Sequence, residues 1–269
     1  MGLSGLEIYK KLPQTNCGDC DVPTCLAFAM KLAAGGAELS KCPHVSEEAK
    51  AELAESSAPP IRGISIGSGD NAFKVGEETV LYRHEKRFEN PTGIAVMLAD
   101  DDSDFDAKLE RILSVSIDRI GLNLSVDAIA VKGSDANKFA QAVEKVASKT
   151  EKGIILASED AALIKAAIEK VADRKPLIMA ATASNFEDMA AIAKEKSAAL
   201  VVKGKDINEA ADISEKVSGK GVQDIIIDTG ARDLGAVLSD QTVVRRLALK
   251  KKFRPLGYPT VVMANEMAK

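Results

Sequence analysis

The sequence predicts an α/β protein in two parts. A small helical domain over residues 1–57 precedes a barrel of parallel strands over 58–269 that stops about one strand short of closure. Three observations predict this. All four cysteines fall between residues 17 and 42. Prolines 59 and 60 follow a run of small polar residues. From residue 93 onward, short apolar, β-branched runs alternate with helical stretches, and neighbouring strand starts lie mostly 23 to 36 residues apart. A period of that kind reads as βαβ units building a parallel sheet.

Composition narrows the function. With 46% apolar and 28% charged residues the chain can bury a large core, and disorder is excluded. A net charge of -4, a pI near 5.5 and 4% aromatics without tryptophan argue against binding nucleic acid, whether through the phosphate backbone or by base stacking. The opening MGLSGLEIYKKLP holds no signal-peptide core, and no apolar run approaches the roughly 20 residues of a membrane span. The expected location is therefore cytoplasmic. Thiols stay reduced there, so four cysteines point to metal or redox chemistry before disulfides.

The elements follow in order. Residues 4–12 predict an amphipathic helix, with Ser4 and Glu7 as a capping box and Leu6, Ile8, Tyr9 and Leu12 as its apolar side. Cys17, Cys20, Cys25 and Cys42 then give C-x2-C-x4-C-x16-C, followed by Pro43. Four converging thiolates are the ligand set of a cubane iron–sulfur cluster or of a structural zinc. Two details favour the cluster. Zinc ribbons pair two C-x2-C knuckles, whereas here sixteen residues separate the second pair, and the Cys-Pro ending is ferredoxin-like. Asp21-Val22-Pro23 reads as a helix start and Gly35-Gly36 as its stop. Cys25 would then sit in the first turn, where the dipole favours an anionic unit. Four thiols complete a ligand set, so His44 reads as a surface residue.

Ser46 to Ser56 predicts a second short helix, and SSAPPI marks a join near 56–61. RGISIG and KVGEETVLYRH read as an opening hairpin. Candidate strands follow at 94–100, 128–133, 153–158, 176–182, 199–204, 224–230 and 260–266. Their continuous apolar character suits strands buried on both faces. Stretches such as ANKFAQAVEKVASK, AALIKAAIEKVAD and FEDMAAIAKEKS are helical between them. Seven such strands, with no G-x-G-x-x-G after an early one, favour a (β/α)8 TIM-type barrel, incomplete at the C-terminus, over a doubly wound sheet.

The stretch CGDCDVPTCLAFAMKLAAGGAELSKCP, with GLEIYKKLPQTNCG before it and the APPI and LYRHEKRF segments after it, resembles the large (gamma) subunits of corrinoid/iron–sulfur proteins. These belong to the acetyl-CoA decarbonylase/synthase, or Wood–Ljungdahl, system. The resemblance implies a [4Fe-4S] cluster on Cys17, Cys20, Cys25 and Cys42. It implies methyl transfer from methyl-tetrahydrofolate or a related pterin to acetyl-CoA synthase, with the cluster reducing Co(II) to Co(I) on a corrinoid (cobalamin). The implied partners are the small (delta) subunit, the pterin methyltransferase and acetyl-CoA synthase. Members of this family run on to complete the barrel and add a corrinoid-holding domain. The chain is therefore expected to be a C-terminally truncated form that does not fully bind the corrinoid itself.

Barrels carry function at the C-terminal ends of their strands. Asp100-Asp101-Asp102, Ser158-Glu159-Asp160, Asn185, Asp228 and Asn265-Glu266 occupy such ends. Acidic and amide residues also cap the helices that follow, and that reading is preferred, so no catalytic residue is assigned. His84 and the basic run Arg245 to Lys252 read as solvated. Two other readings stay open: an electron-transfer module on a barrel scaffold without its own corrinoid, and a pterin-binding methyltransferase.

Overall fold

A computed structural model describes residues 4–33, 37, 39–46, 48–50, 53, 59–82, 84–86 and 89–267. The chain divides into two compact units, Met1–Pro60 and Ile61–Lys269.

In the first unit, helix α1 (Gly5–Lys11) starts at the Ser4 cap, whose hydroxyl accepts from Glu7 N while the Glu7 carboxylate accepts from Ser4 N. Its buried side is Gly5, Ile8 and the following Leu12; Leu6 points outward and is exposed. Three-and-four spacing explains the difference, because Leu6 lies off the stripe through 5, 8 and 12. Helix α2 (Cys25–Ala33) buries Cys25, Phe28, Ala29 and Leu32, which is the same stripe. These residues join Cys20, Val22, Cys42, Val45 and Leu53 in one apolar cluster. The helix begins at Cys25, later than the Asp21-Val22-Pro23 start expected. Asp21 has a left-handed φ of +62°, which cannot belong to a helix, and Thr24 takes the cap: its hydroxyl accepts from Ala27 N at 3.2 Å. The Gly35-Gly36 stop lies outside the described residues. Residues 48–50 and 53 of the second short helix are helical, and most of its remainder, like the first half of the SSAPPI join, is also outside them.

The second unit opens with an antiparallel hairpin, β1 (Ile64–Ile66) and β2 (Phe73–Val75). The run after β2 is not strand, because Gly76 and Glu77 turn the chain at φ +90° and +67°. Six parallel strands then form one sheet: β3 (Ala95–Ala99), β6 (Ala128–Lys132), β7 (Gly153–Ala157), β8 (Leu177–Ala181), β9 (Ala199–Lys203) and β10 (Ile225–Asp228). They lie side by side in chain order. Between them come α3 (Phe105–Ser114), α4 (Ala136–Lys149), α5 (Ala161–Ile168), α6 (Phe186–Glu195) and α7 (Ile207–Gly219), with α8 (Leu234–Lys251) after β10.

Sequential order sends successive right-handed crossovers to the same side. The packing agrees. One sheet face, through Ile129, Val131, Leu156, Ile178, Leu200 and Val202, packs on helix residues including Leu109, Phe139, Ile164, Met189 and Ile213. The other face is lined by smaller residues such as Ala128, Ala130, Ala180 and Ala199, and is covered by Ile64, Ile66, Phe73 and Val75 of the first hairpin. A doubly wound sheet would carry helices on both faces. Helices on one face alone are consistent with barrel-type winding, and the sheet is not closed among the described residues.

Two local readings are corrected. The strand expected at 260–266 is a single parallel bridge, Thr260 beside Ile227, after which Ala264–Met267 forms helix α9. Glu266, on that turn, pairs with Arg232 in the loop after β10. A second hairpin, β4 (Ile117–Arg119) with β5 (Leu122–Leu124), was not anticipated. Its turn places Ile120 at φ +54° and Gly121 at +74°. Primed hairpin turns favour Asn-Gly, so Ile-Gly carries no such signature.

Candidate metal centre

Chain geometry brings the four cysteine-bearing segments of the first unit together. Cys20, Cys25 and Cys42 are buried at 6%, 5% and 4% exposure in the same apolar cluster, whereas Cys17 is exposed. The loop before α2 is folded back by left-handed residues at Gln14, Asn16, Gly18 and Asp21. Asn16 then reaches Cys25: its side-chain oxygen accepts from Cys25 N at 2.8 Å, and its own N–H donates to Cys25 Sγ at 3.4 Å. Asp19, between Cys17 and Cys20, bonds His44, two residues past Cys42, at 2.7 Å. One bond thus ties the first pair of thiols to the third, and another ties it to the fourth.

Burial among Val22, Phe28, Ala29, Leu32 and Val45 leaves Cys20, Cys25 and Cys42 with few polar neighbours. Cys20 Sγ lies 3.8 Å from Val22 O. Soft thiol donors in a dry shell, with an N–H aimed at one sulfur, fit a thiolate-bound metal group. Among the described residues no three thiol sulfurs lie within 4.8 Å of one another; the one group that tight is Cys17, Asp19 and His44. The Asp19 carboxyl is held below its ordinary value by its hydrogen bond to His44 first, and by the bond from Cys17. His44 is exposed, as expected, and its role is to anchor Asp19.

The residues expected at the strand ends serve local structure. Asp100 accepts from Ser134 Oγ at 2.6 Å and from the N–H groups of Ser134 and Asp135 at 2.8 and 3.2 Å. Burial raises its carboxyl and these bonds lower it further, so the net shift is downward. Asp102 pairs with Lys108, Glu159 with Lys203, and Asp160 caps α5. Asn185 accepts from Thr182 N at 2.6 Å and donates to Glu159 O at 2.6 Å. The Asp228 side chain is 2% exposed and accepts from Nη1 and Nη2 of Arg232, at 2.9 and 2.8 Å. The contacts join these groups in pairs: Asp228 and Glu266 share Arg232, and Asn185 bonds Glu159. His84 stacks on Tyr82, with ring centroids 5.6 Å apart. Arg245 is not simply solvated: it donates to Val80 O at 2.8 Å and Leu81 O at 3.3 Å.

Sequence reasoning missed Asn16, Asp19 and Thr24. The available signal was Thr-Asn before the first cysteine and Thr before the third, since both residue types readily bond nearby backbone.

A family model described as "CO dehydrogenase/acetyl-CoA synthase delta subunit" matches residues 63–268. One described as "Putative Fe-S cluster" matches residues 12–44, a span that holds all four cysteines. The corrinoid/iron-sulfur protein large subunit of Moorella thermoacetica is 43% identical over 267 residues, covering 98% of this chain and 60% of that protein. The acetyl-CoA decarbonylase/synthase complex subunit gamma of Methanothermobacter thermautotrophicus is 32% identical, covering 97% and 60%. Subunit gamma 2 of the same complex from Methanosarcina thermophila is 39% identical over 250 residues, covering 88% and 53%. The chain thus spans between half and two thirds of the length of these relatives.

Proposed function

The chain belongs to the CO dehydrogenase/acetyl-CoA synthase delta-subunit family, alongside the corrinoid/iron–sulfur protein large subunits, and from that membership we propose that its first unit carries a [4Fe-4S] cluster on Cys17, Cys20, Cys25 and Cys42. The domain boundary that serves this role falls near residues 57–58. The second unit is the barrel-type scaffold on which a corrinoid subunit is assembled. The whole takes part in methyl transfer from a methyl-tetrahydrofolate or related pterin to acetyl-CoA synthase. When bound, the cluster supplies one-electron chemistry that returns an inactive Co(II) corrinoid to Co(I), the nucleophile that attacks the methyl donor. The proposed partners are the small subunit, the pterin methyltransferase and acetyl-CoA synthase.

The observation that carries the reading is the pair of ties, Asn16 to Cys25 and Asp19 to His44, beside an apolar cluster that contains Cys20, Cys25 and Cys42. The chain's own residues perform three tasks. Val22, Phe28 and Leu32 keep water from the buried thiols. The N–H of Asn16 stabilises negative charge on the Cys25 sulfur. Cys17, as the exposed ligand, offers the edge at which an electron donor approaches.

The test is anaerobic purification followed by iron, sulfide, zinc and cobalt analysis, with EPR of the reduced protein. The expected result is about four irons and four sulfides per chain, as a cubane on four cysteines requires, with a reduced-cluster signal. One zinc and no iron would overturn the redox reading. Cobalt in the same sample would establish corrinoid recruitment. A cobalt-free chain with a full cluster would favour the electron-transfer module instead.

A further inference from the structure

Asn16 and Cys25 exchange two hydrogen bonds in opposite senses. Cys25 N donates to Asn16 Oδ1 at 2.8 Å, and Asn16 N donates to Cys25 Sγ at 3.4 Å. The first bond satisfies the leading N–H of α2, one of the four that no helix can satisfy internally. The partner of this N–H therefore comes from nine residues earlier in the chain, while the Thr24 cap covers Ala27. Asn16 makes both bonds because its backbone is left-handed, at φ +50°, a conformation asparagine tolerates better than most residues.

On the four-cysteine reading above, we propose that Asn16 is the positioning residue for Cys25, fixing the direction of that thiolate and draining charge from its sulfur. The chemistry of the position is narrow. A backbone N–H requires an oxygen acceptor, and the fold requires φ above zero. A neighbour of a thiolate should also carry no negative charge. Asparagine meets all three conditions. Aspartate supplies the acceptor and tolerates the backbone, but it adds a charge. Glycine keeps the backbone and its N–H and loses the acceptor. The two substitutions therefore separate the two roles.

Full-length Asn16→Asp and Asn16→Gly, prepared anaerobically, test the assignment through iron content, EPR at a fixed ambient potential and hydrogen exchange at the Cys25 amide. N16D should keep its iron while the ratio of reduced to oxidised cluster falls about tenfold, equivalent to about 59 mV for one electron. N16G should lose about half its iron under buffer exchange that the native protein withstands, with altered g values and an amide that exchanges about tenfold faster. Native iron content, ratio, g values and exchange in both variants would overturn the proposal. A native protein loaded with zinc would overturn the cluster reading instead. The Cys25 amide then decides the positioning role alone: faster exchange in N16G supports it, and unchanged exchange rejects it.

Discussion

Asp228 and Arg232 show what a single buried charge demands. The carboxylate ends β10 at 2% side-chain exposure, and both of its oxygens receive guanidinium hydrogens; Gly230 N adds a third bond at 2.9 Å. Removing the guanidinium leaves a charge in a dry site, which costs far more than the pair itself contributes. Arg232→Met should therefore destabilise the second unit by about 3 kcal/mol in chemical denaturation. Adding Asp228→Asn, which keeps an acceptor for Gly230 N, should recover most of that loss. A single variant within about 0.5 kcal/mol of native would show that the carboxylate does not depend on Arg232. The same guanidinium also holds Glu266, so the exposed turn of α9 should gain hydrogen exchange when it is removed.

Among the elements, the opening hairpin depends on one close approach. A Cβ on Gly76 would stand 2.1 Å from Arg62 O, and its φ is +90°. The two segments are locked there, with Arg62 N donating to Gly257 O and Glu77 N donating to Ile61 O. Gly121 makes a control: its φ is +74°, yet a Cβ would meet nothing within 4 Å. Gly121→Ala should cost about 1 kcal/mol, from backbone strain alone. Gly76→Ala should cost about 3 kcal/mol, because a backbone clash is added and neither segment can yield. Equal unfolding midpoints for the two variants would refute the argument. Since β1 and β2 cover the small-residue face of the sheet, the larger loss should appear across that sheet.

At the scale of the whole molecule the two units rest on different physics. The second buries long apolar stripes on both faces of its sheet. The first spans 60 residues, and among its described residues one apolar cluster includes three of the four cysteines. Domains of that size bury only about 60% of the surface their unfolded chain exposes, and metals often supply the difference. Stripping the metal by oxidation and chelation should abolish hydrogen-exchange protection in α1 and α2 while leaving β6 to β9 protected. Retained protection in both helices would mean the first unit folds on its apolar cluster alone.

The sequence by itself determined the periodic features. Each parallel strand is a run of apolar residues, and β3 and β6 to β10 each begin within one residue of the position read from the chain. The cysteine spacing pointed to a thiolate site because ligand identity is written in residue type, and the fold gathers Cys20, Cys25 and Cys42 in one apolar cluster. Features made by long-range contact were not legible. The expected α2 start at Asp21-Val22-Pro23 gave way to Cys25 because the cap comes from Thr24 and the N–H partner from Asn16, and no local pattern records that second contact. The expected final strand became one bridge, Thr260 beside Ile227, and a helical turn whose Glu266 meets Arg232, 34 residues away. Which strand-end carboxylates serve as caps and ion pairs was decided in the same way. Local propensity and burial pattern are properties of neighbouring residues, whereas a hydrogen bond across the fold exists only once the fold has brought its two ends together.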